Sequence, residues 1–250
     1  MKFRPCIDLH DGRVKQIVGS TLNDRDIQAV ETNFESEHES AWYAKMYQAD
    51  GLTGGHVIML GQGNERAACN ALQAYPGGLQ VGGGINLDNA PTWLDNGAAQ
   101  VIVTSWVFVD GKLDMARLEQ LVAVVGRERL VLDLSCRMRD GKYYIVTDRW
   151  QTFTTMEVNS ATLSKLSSYC SEFLIHAVDV EGKQAGIDIE LITIMAANCD
   201  IPMVYAGGVR SLADIDLIGQ AGNNQIDFTV GSALDIFGGS LAYRQLVKQI

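Results

Sequence analysis

Asp8 and Asp133 are separated by half of the 250-residue chain, and each ends an otherwise apolar run. Asp8 lies in Cys6-Ile7-Asp8-Leu9 and is followed by Asp11-Gly12-Arg13-Val14. Asp133 lies in Leu132-Asp133-Leu134 and is followed by Asp140-Gly141-Lys142-Tyr143. A carboxylate at the C-terminal end of a buried strand points into the mouth of a barrel, where desolvation and nearby charge shift its pKa. Two such groups facing one another suit acid and base work on two atoms of one molecule. A lone strand-end aspartate serves equally well as a cap for loop N–H groups. The recurrence in matched halves favours chemistry.

Glycines repeat in the same way. Val81-Gly82-Gly83-Gly84-Ile85 is echoed by Tyr205-Ala206-Gly207-Gly208-Val209, and Val103-Thr104-Ser105 by Val230-Gly231-Ser232. Glycine lets backbone N–H groups approach an oxyanion closely. One phosphate is therefore predicted at Gly83, Gly84, Thr104 and Ser105, and a second at Gly207, Gly208, Gly231 and Ser232. Two phosphates across one mouth imply a long bisphosphate substrate. Trp150 is predicted to stack on a planar part of it. His176, at the end of a strand, is a structural histidine or a substrate contact, and Glu181 and Asp179 are further carboxylates near the mouth. His10 falls in the first loop, and His38 and His56 look like surface and strand-entry positions. No histidine pair has metal-ligand spacing and no G-x-G-x-x-G turn is present, so neither metal nor cofactor is expected.

The elements that must hold these groups alternate along the whole chain. Eight short apolar runs, Phe3–Leu9, His56–Leu60, Leu79–Val81, Val101–Thr104, Leu130–Leu134, Phe173–Ala177, Met203–Tyr205 and Phe228–Val230, read as strands of a parallel sheet. Between them, Met115, Leu118, Leu121, Val122 and Val125 have helical spacing, as do Glu37–Ala49, Asn64–Ala74, Ala161–Tyr169, Glu190–Ala197, Leu212–Ala221 and Leu241–Val247. Ser211 is a predicted N-cap. One long insertion after the fifth strand, Ser135–Asn159, reads as a polar loop, carries Arg149, Trp150 and two tyrosines and is a lid candidate. The expectation is an α/β chain: a single (β/α)8 TIM barrel over residues 1–250, with a two-fold repeat of half-barrels at about 1–125 and 126–250.

A formal net charge of −10 argues against nucleic acid or an anionic membrane as partner. It leaves an anionic small substrate open, because backbone N–H groups bind phosphate without basic side chains. No apolar run approaches the ~20 residues of a membrane span. With a strand at the start of the chain, no signal or transit peptide is expected. Five widely spaced cysteines, Cys6, Cys69, Cys136, Cys170 and Cys199, read as reduced thiols. A cytoplasmic monomer is expected.

On these residues the chain resembles, over essentially its whole length, the phosphoribosylformimino-AICAR-phosphate (ProFAR) isomerases of histidine biosynthesis. The resemblance rests on Ile7-Asp8-Leu9 with Asp11-Gly12-Arg13-Val14, Gly82-Gly83-Gly84-Ile85, Asp133, Ala206-Gly207-Gly208-Val209, and Val230-Gly231-Ser232-Ala233-Leu234. His56-Val57-Ile58-Met59-Leu60-Gly61, Leu79-Gln80-Val81-Gly82-Gly83-Gly84 and Trp150-Gln151-Thr152 are similar to the eukaryotic form. The resemblance implies a cofactor-free Amadori rearrangement of an aminoaldose to an aminoketose, with Asp8 as base and Asp133 as acid. Many bacterial members have arginine where Asn86 stands and Lys-Asp-Gly-Thr where this chain has Val180-Glu181-Gly182-Lys183. The strand-6 aspartate has been considered as the acid there, which keeps Glu181 open beside Asp133. The sister barrel, the cyclase subunit of imidazole glycerol phosphate synthase, shares the fold and the paired aspartates. Its first strand typically reads Leu-Asp-Val, against Ile7-Asp8-Leu9 here. A non-catalytic phosphometabolite-binding barrel is a third reading, and two buried carboxylates facing an anionic ligand weigh against it. A ribulose-phosphate epimerase would bring metal-binding histidines on its strands.

Overall fold

Short runs rich in Val, Ile and Leu, bounded by glycine or polar residues, bury both faces as parallel strands. The computed structural model describes residues 1–17, 32–148, 150–181, 186–198 and 200–248. Among these residues eight parallel strands occur: β1 Cys6–His10, β2 Gly55–Met59, β3 Leu79–Gly82, β4 Val101–Val103, β5 Leu130–Asp133, β6 Glu172–His176, β7 Met203–Ala206 and β8 Asp227–Phe228. They neighbour one another in chain order, with Asp8 opposite Ile58 and Leu174 opposite Asp133. The ends of the sheet meet where Phe3 bridges Phe228 in parallel. There the Arg4 N–H donates to the Phe228 carbonyl at 2.8 Å and the Phe228 N–H to that of Lys2 at 3.0 Å. The curled sheet thus closes on itself, and β1 and β5 stand on opposite sides.

Each strand is followed by a helix: α1 Ser40–Ala49, α2 Glu65–Ala74, α3 Ala90–Asp95, α4 Met115–Val125, α5 Ser160–Leu166, α6 Ile189–Ala196, α7 Leu212–Ala221 and α8 Tyr243–Val247. Ser211 caps α7, its side chain accepting from the Asp214 N–H. Helix α3 has no counterpart among the predicted helices. Its six residues, with Pro91 in the first turn, are too short a stretch to show a periodic apolar face.

Strand parity decides what faces inward. The side chains of Ile102, Val131, Leu174, Val204 and Ala206 form a small buried cluster of their own, with Ile58 against it. The main core lies outside the sheet, under the helices. Period-two alternation then turns Asp8, Asp133 and His176 inward as well, in line with Cys6, Val131 and Leu174. At the opposite, N-terminal end, Arg4 pairs with Asp227 at 2.8 Å and Glu172 at 3.4 Å, and Gln80 donates to Glu172 at 2.7 Å. That network closes the floor and leaves the chemistry to the other end.

Two expectations change. Residues 135–159 are not a polar loop but an antiparallel three-stranded sheet, Cys136–Arg139, Lys142–Thr147 and Thr152–Glu157. Asp140 and Gly141, at φ 52° and 75°, make the tight turn that joins its first two strands. Tyr143, Ile145, Val146 and Thr147 are buried, and Cys136, Tyr143, Ile145 and Val158 join the main core. Nor is it the one insertion: β1 turns back at Asp11 and Gly12, φ 53° and 74°, into Arg13–Ile17, which also pairs antiparallel with Thr32–Glu35. Arg149, Gly182, Lys183 and Cys199 lie outside the described residues. The four described cysteines are free thiols. Among the described residues no helix is long and apolar enough to cross a membrane.

Candidate active site

A cavity of about 700 Å³ opens at the C-terminal ends of the strands. Its lining brings together every residue singled out for the site: Asp8, Asp133, Trp150, His176, Glu181, and the loop residues Gly83, Gly84, Thr104, Ser105, Gly207, Gly208, Gly231 and Ser232. Asp179 is not part of it. That carboxylate holds the Arg137 guanidinium at 3.0 Å and the Met138 N–H at 2.9 Å, tying the inserted sheet to the loop after β6. His10 and His38 also stand away from the lining, His38 stacked on Trp42 with ring centroids 4.1 Å apart.

The two aspartates sit in opposite electrostatic settings. Asp8 accepts from Gln16 Nε2 at 2.8 Å. Burial raises its pKa above the ordinary range, opposed by the Gln16 hydrogen bond, by His176 and by Cys6. Asp133 accepts from the Ser135 N–H at 2.8 Å and from the Ser135 hydroxyl at 2.6 Å. Its Oδ1 lies 3.6 Å from His176 Nδ1. Burial alone would raise Asp133 too, but the charge and hydrogen bond of His176, with those from Ser135, hold it below the ordinary carboxylate value. Paired titratable groups whose surroundings push them apart are a mark of acid and base division.

His176 is the cation of the site. Burial lowers its pKa, yet Asp133, then Glu181 and Asp8, more than offset this and push it up to about 9. His56, whose ring centroid is 6.3 Å from that of His176, is held neutral by burial and by the neighbouring imidazolium, at about 3. Glu181 reaches in over β7. Its Oε2 is buried without a hydrogen-bond partner among the described residues. Burial raises its pKa, His176 lowers it, and Asp8 raises it further.

The glycine loops flank these groups. Gly83 and Gly84 follow β3 at φ 94° and 73°, and Gly207 and Gly208 follow β7 at φ 129° and 70°. Gly83 and Gly208 are required sterically as well, since a Cβ there would overlap the carbonyls of Met59 and Gly186. At Gly84 a Cβ would meet nothing, so that position opens to the cavity. The inserted sheet crosses toward the first loop set, its Asp148 N–H donating to Ser105 Oγ at 3.0 Å. Trp150, at a left-handed φ of 66°, brings its ring to 5.7 Å from that of His176. Gln16, Ser135 and His56 are residues that sequence reasoning missed or misplaced. Parity was an available signal for two of them, because Ser135 follows Asp133, and His56 precedes Ile58, by two residues.

Among the described residues no group of three or more His, Cys, Asp or Glu side chains is placed to hold a metal ion. The arrangement offers a carboxyl group of raised pKa on one wall, a carboxylate–imidazolium pair on the facing wall, and glycine loops on the flanks.

The family of histidine biosynthesis proteins matches residues 2–240. A Medicago truncatula protein named 1-(5-phosphoribosyl)-5-((5-phosphoribosylamino)methylideneamino) imidazole-4-carboxamide isomerase, chloroplastic, is 55% identical, over 99% of this chain and 81% of its own length. Proteins of the same enzyme name from Neurospora crassa and Saccharomyces cerevisiae are 49% and 47% identical, covering 95% and 96% of this chain and 93% and 94% of theirs. The chain belongs to the histidine biosynthesis protein family.

Proposed function

We propose that this member of the histidine biosynthesis family is a cofactor-free aldose–ketose isomerase that converts the aminoaldose ProFAR to its aminoketose by an Amadori rearrangement. The relatives bear the name of that isomerase, and the substrate in the name carries two phosphoribosyl groups. One observation carries the reading to the site. Two glycine-and-hydroxyl loop sets line the same cavity as Asp8 and Asp133, which stand on opposite strands.

In this reading Gly83, Gly84, Thr104 and Ser105 hold one phosphate, and Gly207, Gly208, Gly231 and Ser232 the other, mainly through backbone N–H groups. With both ends held, the reacting sugar lies between the walls, and positioning supplies part of the rate. A proton reaches the ring oxygen from the Asp133 side as the C1–O bond breaks, and an open-chain protonated imine forms. Asp8 then takes the proton from C2. Its raised affinity for protons makes it the stronger base of the pair. The enaminol ketonises as Asp8 returns that proton to C1 and the C2 hydroxyl loses its own, which replaces the proton given to the ring oxygen, so no net proton is consumed. Trp150 covers the imidazole part of the substrate, and Glu181 lies within reach of the same sugar.

The two Asp-Gly turns after β1 and near the start of the second insertion, with matching φ values, support a single domain over 1–250 built of half-barrels at about 1–125 and 126–250. Four unpaired cysteines fit the reducing cytoplasm. We assign a monomer whose partner is the bisphosphate substrate alone. The test is a spectrophotometric assay with ProFAR, with and without a coupling synthase that consumes the isomerised product. Turnover without added cofactor is expected. Direct formation of imidazole glycerol phosphate from the aminoketose and ammonia would instead assign the sister cyclase activity.

A further inference from the structure

The wall opposite Asp8 contains a hydrogen-bond chain whose direction can be read from its atoms. The Ser135 hydroxyl has one proton, and at 2.6 Å that proton is donated to Asp133 Oδ1. Ser135 Oγ itself lies 3.1 Å from His176 Nδ1. Having spent its proton, Ser135 Oγ can only accept from the ring, so Nδ1 carries a hydrogen. Asp133 Oδ1, 3.6 Å from that nitrogen, supplies the countercharge for a second one. The ring meets Ser135 through Nδ1, and His176 lines the cavity.

We propose that His176, not Asp133, is the group that donates the proton to the ring oxygen, through Nε2, with Asp133 and Ser135 as positioning residues that hold the ring from the Nδ1 side. The assignment rests on the isomerase reading and deepens it. The step is balanced: the Nε2–H proton goes to the ring oxygen, which keeps the electron pair of the broken C1–O bond. His176 becomes neutral, with its hydrogen on Nδ1. On ketonisation the proton lost from the C2 hydroxyl enters solvent, which recharges the imidazole.

The surrounding groups favour this distribution. Asp133 on β5, Glu181 on the loop after β6 and Asp8 on β1 face His176 with carboxyl groups, while His56 on β2 is neutral. A carboxyl held below its ordinary range has almost no proton to give at neutral pH, whereas an imidazolium at about 9 is charged and matched to donation.

The test compares His176→Gln and Asp133→Asn in full-length protein by kcat/KM for ProFAR across pH 6–10, with folding checked by circular dichroism. The wild type is expected to lose activity above pH about 9. His176→Gln should lose about 10²–10⁴-fold in rate together with that alkaline limb. Asp133→Asn should keep a limb, moved toward the ordinary histidine value, because the imidazolium has lost its countercharge. ¹⁵N chemical shifts of labelled histidines give a readout that needs no turnover. One ring, absent from His176→Gln spectra, should stay doubly protonated to about pH 9 in the wild type and titrate lower in Asp133→Asn. If His176→Gln turns over at near the wild-type rate with its alkaline limb intact, or if the His176 ring titrates at an ordinary value, the donor assignment is overturned. A wild-type protein that leaves ProFAR unchanged overturns the isomerase reading and the donor with it.

Discussion

Replacing each aspartate in turn by asparagine should move stability in opposite directions while both changes cost activity. Burial holds Asp8 above its ordinary 3.8, so its charge opposes folding at neutral pH. The stability contributed by protonated Asp8 is fully present below 3.8 and is lost as pH rises through the folded-state value. Asp8→Asn keeps an oxygen for Gln16 to donate to and removes the charge. It should therefore melt at or above the wild-type temperature, with the gap opening from about pH 4 upward. Asp133 is the reverse case. Its folded value lies below 3.8, so its contribution is present above 3.8 and fades as pH falls through the folded value. Asp133→Asn leaves the buried Ser135 and His176 with a weaker partner, worth about 1–3 kcal/mol. For a chain of this size that is a fall of roughly 2–4 °C for each kcal/mol. Asp8→Asn should also cost about 10²–10⁴ in kcat, or ~3–5 kcal/mol of transition-state stabilisation. Scanning calorimetry from pH 4.5 to 8 and the coupled ProFAR assay read both quantities. Near-normal turnover by Asp8→Asn would end its role as base. A destabilised Asp8→Asn beside a stabilised Asp133→Asn would refute the electrostatic reasoning.

In a crystal soaked with a bisphosphate analogue, one anion should sit on the Gly83–Gly84 and Thr104–Ser105 loops and another on Gly207–Gly208 and Gly231–Ser232. Density at only one set would remove the two-ended substrate. Gly84→Ala, strained only by its positive φ, should cost about 1–2 kcal/mol of stability and raise KM. Gly208→Ala adds overlap with the Gly186 carbonyl and should melt clearly lower; equal melting points would contradict the packing argument. Trp150→Ala should raise KM several-fold with an unchanged melting temperature, and Trp150→Gly, which relieves the left-handed φ, should melt no lower. A melting loss in Trp150→Gly would mean the ring is structural. Activity should persist after exhaustive dialysis against EDTA, and restoration by one added divalent metal would count against cofactor-free chemistry.

Much of the site was legible because strand chemistry is local. A carboxylate at the end of an apolar run, or glycines after one, can be placed at the mouth of a barrel from parity and strand order alone. What escaped depends on contacts between segments far apart in the chain. The Ser135–Asn159 segment reads as a polar loop at first sight, with Arg137, Arg139, Asp140 and Lys142 in its first half. Its alternation of Tyr143, Ile145 and Thr147 is the better guide, since period two means one buried face and hence a sheet. Gln16 was invisible because its partner is reached only after the chain reverses at Asp11-Gly12. The division of labour between the two walls was invisible for a deeper reason. Asp8 and Asp133 are the same residue type in matched places, and the repeat invites matched roles. Their difference is made by neighbours the repeat does not share: an uncharged amide from Gln16 on one side, a hydroxyl and an imidazolium on the other. Such symmetry brings two carboxylates to face each other, and departures from it decide which of them accepts a proton.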